Sequence, residues 1–224
     1  MILYMDSRRI VLPEKDLEYL KIDRGNEGTV YFFEDYALKV YHPTSRKIRL
    51  DESSCKEMIH VPTHNLLLPR GVLYDQRKIF NGYYTEYIPV RHAMYEILSL
   101  KMREFIEKVE DVYQELLILA DNHISVYDFH PDNFIYDLDF FFVDPGSYII
   151  EIRKDFYQLL LENQEVWRDF IIDHIFSGMV FGKNKKKQTK IKDHFSDCLY
   201  LPDVLHREAL PNETVKQYAK RIAS

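Results

Sequence analysis

Hydrophobic periodicity changes once along this chain, near residue 90, and that change limits the folds the chain can adopt. Ahead of it, "YLKIDRGNEGTVYFFEDYALKVYH" (19–42) alternates apolar and polar residues on both sides of a Glu-Asp-Tyr turn. Such alternation marks paired strands with one buried face. "RGVLYD" (70–75) and "GYYTEYIPV" (82–90) predict two more strands, joined by the polar turn "QRKIFN". Between the two groups, "SRKIRLDESSCKEMIHVP" (45–62) predicts one short helix that Pro62 stops. Behind residue 90, "AMYEILSLKMREFIEKVEDVYQELLILADNHI" (93–124) spaces its apolar residues by three and four, as a helix does. "RKDFYQLLLENQEVWRDFIIDHIF" (153–176) does the same, with Trp167 expected in the core. Between these two stretches, residues 126–146 are expected to form short strands and turns, and the chain beyond 176 is expected to be helical, broken by a lysine-rich loop at 183–192. No repeat or low-complexity linker interrupts the order. The expectation is an α+β chain with a β-rich front, 1–88, and a helical back, 89–224, acting as two lobes of one domain.

Composition fits that expectation. The 224 residues, 46 % of them hydrophobic, suffice for one large core or two lobes sharing a cleft. A formal net charge of −6 lacks the positive footprint of a dedicated nucleic-acid or membrane-surface binder, so neither partner is expected. Cys55 and Cys198 are too few for a disulfide scaffold and suit a reducing compartment. "MILYMDSRRIVLPEK" holds no apolar run fit for a signal peptide, and no later run approaches a membrane span. A cytoplasmic location is therefore expected.

Chemistry concentrates in "VYDFHPDNFIYDLDFFFVDPG" (126–146). Carboxylates among apolar residues are costly unless something positive sits beside them. A metal ion with a phosphate is one such partner, and a structural ion pair is another. Asp128, Asn133 and Asp144 form an oxygen-rich set that suits Mg²⁺ together with phosphate. Far upstream, Gly25 and Gly28 in "DRGNEGTV" would let backbone N–H groups approach phosphate oxygens with no Cβ in the way. No Gly-Lys-Ser/Thr follows them, so this is not a Walker loop. Eleven residues beyond Gly28, Lys39 stands among apolar neighbours in "YALKVY". A buried lysine is rare unless paired. Cys55, His60 and His64 invite a zinc reading, but Pro62 divides the histidines and no fourth ligand lies nearby.

In the order in which they occur, "GNEGTV", "ALKV", "YDFHPDNF" and "VDPG" resemble the glycine loop, strand lysine, catalytic loop and metal-binding turn of the protein-kinase superfamily, over about residues 18–175. The resemblance implies a two-lobed kinase-like fold that uses ATP and Mg²⁺ to phosphorylate a hydroxyl, foremost that of a protein Ser or Thr. It implies that Gly25 and Gly28 cover the phosphates and that Lys39 holds them. Asp128 would be the catalytic carboxylate, and Asn133 and Asp144 the metal ligands. Val30, Ala37, Ile135 and Val143 would sandwich the adenine, with Thr85 as gatekeeper and the backbone of Glu86 and Ile88 pairing with its edge. Glu57, or else Glu52, would pair with Lys39. Asp155 would open a helix and tie down the catalytic loop.

Several positions depart from that pattern. Asp23 replaces the first loop glycine, Val126 and Tyr127 stand where protein kinases carry His-Arg, and Pro145 replaces a phenylalanine. Only eight residues separate Gly146 from Asp155, too few for a regulatory activation loop. His130 stands where a lysine is usual, and "DFHPDN" is similar to the run found in aminoglycoside and choline phosphotransferases. A histidine there can donate to a phosphoryl oxygen or orient Asp128. The competing expectations are a small-molecule kinase, a nucleotide-binding pseudokinase, and nucleotidyl transfer on the same fold.

Overall fold

The computed structural model describes residues 1–43 and 50–224. Its front is one antiparallel sheet built from β1 (Ile2–Met5), β2 (Arg8–Val11), β3 (Lys21–Arg24), β4 (Gly28–Phe33), β5 (Tyr36–Tyr41), β6 (Gly71–Tyr74) and β7 (Phe80–Glu86), in the order β2-β1-β6-β7-β5-β4-β3. The β1–β2 hairpin and the short α1 (Leu17–Leu20) add to the strands legible in the sequence.

Period-two alternation gives the sheet two buried faces. Leu38, Val40, Leu73 and Tyr84 point outward into a small core with Leu3, Met5, Ile10 and Leu12 of the first hairpin. Tyr41, Val72 and Tyr83 point inward to the main core. Lys39 lies between Leu38 and Val40 and shares the inward face, where its register partner on β7 is Tyr83. Gly28 opens β4 opposite Tyr41, and a Cβ there would lie 2.5 Å from the Val40 carbonyl oxygen. Only glycine allows that strand to close.

The helix expected over 45–62 is observed as α2 (Glu52–Met58), with Asp51 as N-cap accepting from Ser54 N at 2.7 Å. Residues 45–49 of the expected helix lie outside the described residues. Cys55 and Met58 are the buried face of α2.

Behind β7, α3 (Met102–Asp121) carries the back half. It buries Phe105, Val109, Val112, Leu116 and Leu119 at the spacing seen in the sequence. Short strands follow: β8 (Ile124–Val126), β9 (Phe134–Tyr136), β10 (Phe140–Phe142) and β11 (Tyr148–Ile150), pairing β9 with β10 and β8 with β11. Helix α4 (Phe156–Phe170) packs on α3, runs directly into a π-helical stretch, Ile171–Met179, and buries Trp167 completely. The lysine-rich stretch is a helix rather than a loop: α5 (Lys185–His194) is capped by Asn184, which accepts from Lys187 N, and is pinned by the fully buried Ile191. Lysine favours helices intrinsically, so one apolar anchor and a cap suffice. Helices α6 (Leu201–Glu208) and α7 (Val215–Ile222) complete the chain.

Candidate active site

The sheet and the helical half meet at Lys39. Its Nζ donates to both Asp144 carboxylate oxygens, at 2.8 and 2.6 Å, across 105 positions of sequence. A third donor contact reaches Glu27 Oε2 at 3.2 Å. Asp144 receives two more hydrogen bonds on Oδ1, from Tyr83 Oη at 2.7 Å and from Gly146 N at 3.0 Å. Burial would push the Asp144 carboxyl up. The Lys39 charge, with the hydrogen bonds from Lys39, Tyr83 and Gly146, outweighs it and holds the carboxyl below its ordinary value. Burial first, then the neighbouring Asp144 charge, pushes the Tyr83 hydroxyl well up, so it remains a donor.

The Pro145-Gly146 turn forms around this carboxylate. A Cβ on Gly146 would lie 3.1 Å from Asp144 Oδ1, 3.3 Å from Glu27 Oε2 and 3.4 Å from Lys39 Nζ. That convergence explains why the turn carries glycine.

Two cavities meet at Asp23, Val30, Lys39, Asn133 and Asp144. One, of about 350 Å³, lies between the sheet and β9–β10 and is lined by Val30, Ala37, Thr85, Glu86, Ile88, Ile135 and Val143. Thr85 is buried at its back, in register with Ala37. The sheet ends at Glu86, and beyond Tyr87, whose N–H donates to Asp35, the backbone of Ile88 makes no backbone hydrogen bond among the described residues. The second cavity, of about 370 Å³, is lined by Gly25, Glu27, Gly28, Lys39, Asp128, His130, Asn133, Asp144 and Gly146.

The catalytic-loop candidates reach this second cavity because Phe129 between them is buried against Phe142 (ring centroids 4.2 Å apart) and Trp167 (5.4 Å). Asp128 and His130 are left exposed on either side of that anchor. His130 Nδ1 meets Asp132 N at 3.3 Å and Asp132 Oδ2 at 3.5 Å, contacts that orient the ring at the start of the following turn. Asn133 ends the 3₁₀ turn Pro131–Asn133, and its carbonyl accepts from Val143 N at 2.9 Å, which brings it beside Asp144.

Two expected roles fall to other residues. Glu57 is exposed and, among the described residues, accepts only from Ser53 Oγ, while Glu52 accepts from Lys56 and from Tyr74 Oη. Neither reaches Lys39: Glu57 lies about 200° around the helix from the inward-facing Cys55, and Glu52 is held by Lys56 and Tyr74 instead. The carboxylate beside Lys39 is Glu27, from the glycine turn. Asp155 caps its own helix, accepting from Gln158 N at 2.9 Å, and among the described residues makes no hydrogen bond to the 126–133 loop. That loop is tied instead by Asn163, fully buried on α4, which accepts from Val126 N at 2.8 Å and donates to the Ile124 carbonyl at 2.9 Å.

Glu115 is a further residue that pattern reading passed over. Buried on α3, it accepts from His64 N, Asn65 N and Leu66 N at 2.7, 2.8 and 2.8 Å. The segment it grips pairs with β10 through Leu67 N to the Phe142 carbonyl and Phe142 N to the Asn65 carbonyl, two residues ahead of Asp144. An acid within the apolar run "YQELLILA" was the available signal. Cys55 is sealed under the sheet, with its thiol pushed up to about 12 chiefly by burial, and no group of three or more metal-ligating His, Cys, Asp or Glu side chains occurs among the described residues. The zinc reading of Cys55, His60 and His64 has no support in this geometry.

Asn133 and Asp144 present hard oxygen donors beside a lysine and a glycine turn, and two protein donors completed by phosphate and water are what Mg²⁺ takes. The donor set fits a magnesium nucleotide.

Comparison with known proteins agrees with the architecture. The chain is similar to the crystal structure of the Mycobacterium tuberculosis PknI kinase domain, with a TM-score of 0.54 and 16 % sequence identity, over 90 % of this chain and 92 % of that one. The chain therefore has a protein-kinase-like, two-lobed α+β fold. No family model and no curated protein sequence matches it. No helix among the described residues is long and apolar enough to cross a membrane.

Proposed function

We propose that this chain is a phosphotransferase that moves the γ-phosphoryl of ATP, with Mg²⁺, to a hydroxyl group, foremost that of a protein serine or threonine. One observation carries the proposal: a lysine from the sheet and an aspartate from the helical half meet at 2.6 Å in a cleft that Asp128 and Asn133 also line. Bound ATP with Mg²⁺ supplies the phosphoryl group and neutralises its charge. The chain's residues do the rest by position and electrostatics.

Val30, Ala37, Ile135 and Val143 hold the adenine between the lobes, and the backbone at Glu86 and Ile88 pairs with its edge. The turn from Gly25 to Gly28 covers the phosphates from above. Lys39 exchanges a carboxylate oxygen for phosphate oxygens, Asn133 and Asp144 hold the metal, and His130 donates to the transferring group. Asp128, exposed at the cavity mouth, orients the acceptor hydroxyl and takes its proton. A cytoplasmic location belongs to the same proposal.

A small-molecule hydroxyl is the second reading. It is favoured by the pairing of Tyr148–Ile150 with β8, which uses the segment where a longer chain would carry a peptide platform. Incubation with γ-labelled ATP, Mg²⁺ and either a generic protein or a panel of small alcohols separates the two. Label on protein that disappears in Asp128→Ala supports the first reading, and label on an alcohol supports the second. Nucleotide binding without transfer to any acceptor marks a pseudokinase, and transfer from α- but not γ-labelled ATP marks nucleotidylation.

A further inference from the structure

The acid at Lys39 comes from the loop that covers the phosphates, and this has a consequence for which form of nucleotide can enter. Glu27 Oε2 stands 3.2 Å from Lys39 Nζ, with 18 % of the Glu27 side chain and 10 % of the Lys39 side chain exposed. The Glu27 carbonyl accepts from His42 N at 2.8 Å, so the backbone of the turn is registered on the extension of β5. Its carboxylate consequently sits inside the cavity, against the same point of the floor, above Gly146, that Asp144 occupies. The three donors of the Lys39 ammonium are spent on two Asp144 oxygens and one Glu27 oxygen.

Charge in this cavity is one-sided. Asp23, Glu27, Asp128 and Asp144 face it, against Lys39 and a histidine. One ammonium balances one carboxylate, and a bare polyphosphate entering here meets the others at close range, where like charges repel strongly. Phosphate can reach Lys39 only by displacing a carboxylate. Asp144 is held by Tyr83 and Gly146 as well as by the shorter Lys39 contacts, whereas Glu27 makes the longest of the three, so Glu27 is the one that yields.

We propose that Glu27 is a specificity-determining residue that makes the cleft accept a nucleotide only as its divalent-cation complex. A cation-loaded polyphosphate brings positive charge that offsets the displaced carboxylate, and a cation-free one does not. This inference rests on the phosphotransferase reading. It assigns to Glu27 a task separate from holding the metal or the acceptor.

The test is calorimetric titration of ADP into the wild-type protein and Glu27→Gln, each in excess EDTA and in excess Mg²⁺. In EDTA the variant is expected to bind about tenfold tighter than wild type or better, and in Mg²⁺ the two should differ by less than about threefold. Glu27→Ala, which removes any side-chain hydrogen bond to Lys39, should give the same pattern, and unchanged circular dichroism verifies the fold of both variants. If Mg²⁺–ADP binds wild type but neither variant gains affinity in EDTA, the role of Glu27 is refuted and the phosphotransferase reading stands. If no protein binds ADP in either buffer, both are refuted.

Discussion

Tyr83→Phe isolates one hydroxyl at the junction between the lobes. Tyr83 is 2 % exposed, its ring packs edge-on to Tyr41 at 6.0 Å, and its hydroxyl donates to Asp144 Oδ1 at 2.7 Å. Phenylalanine keeps the ring and its packing, so the change removes a single donor from a carboxylate. A hydrogen bond to a charged group contributes about 1.5–3 kcal/mol. Asp144 Oδ1 keeps Lys39 at 2.8 Å and Gly146 N at 3.0 Å, so it is not left bare, and the variant no longer buries a hydroxyl. The net cost should therefore fall below that range, at about 1 kcal/mol, or a drop in melting temperature of about 2–4 °C for a chain of this size. Urea unfolding of wild type, Tyr83→Phe, Asp144→Asn and the double variant forms a cycle that reads the pair directly. A coupling energy of about 1 kcal/mol is expected. Coupling below about 0.3 kcal/mol, or a Tyr83→Phe protein as stable as wild type, would refute the view that Tyr83 holds the Asp144 carboxylate in place.

Other perturbations have equally definite outcomes. Glu115→Gln strands part of a three-donor site in a buried segment and should cost about 2–4 kcal/mol in urea unfolding, because the amide cannot accept from all three N–H groups as a carboxylate does. Asn163→Leu cuts both hydrogen bonds from α4 to β8 and should cost about 2–3 kcal/mol, with loss of phosphoryl transfer exceeding the loss of stability. Glu57→Gln should leave unfolding midpoint and nucleotide affinity unchanged, since this exposed side chain does not meet Lys39. Glu213 is held below its ordinary pKa first by the hydrogen bonds from Arg221, at 2.8 Å each, against a burial effect that raises it. Its folded pKa is depressed, so its stabilisation is full above the unfolded value near 4.3 and disappears as pH falls through the folded one. Glu213→Gln should therefore be less stable than wild type by about 1 kcal/mol at pH 7, with the gap closing in strongly acidic buffer.

Sequence periodicity exposed most of the architecture, because alternation and three-four spacing are local consequences of burial. Lys39 stood out as a charge among apolar strand residues, though alternation alone also allowed it an exposed face, and Asp128, Asn133 and Asp144 stood out as two acids and an amide in an apolar neighbourhood. The partner of Lys39 could not be found this way. Counting along the chain picks out Glu57, but which face of α2 turns inward depends on Cys55 and Met58 fitting the sheet, a tertiary matter. Glu27 lies in a turn without periodicity, and its reach depends on how β4 and β5 register. Asn163 and Asp155 exchange roles for a related reason: an acid at a helix start is visible as a cap, while the residue that meets β8 is set by how α4 packs. The lysine-rich helix escaped because composition suggested a solvated loop, and only the single anchor Ile191 and the cap Asn184 argue otherwise.

On the proposed function, nucleotide phosphates occupy the space between the glycine turn and Lys39. Equilibrium titration of Mg²⁺ with a non-hydrolysable ATP analogue into wild type and Lys39→Ala tests it most directly. One site per chain is expected in wild type, with affinity reduced at least about tenfold in the variant. Equal affinity in the two proteins, or no binding by wild type, would contradict it.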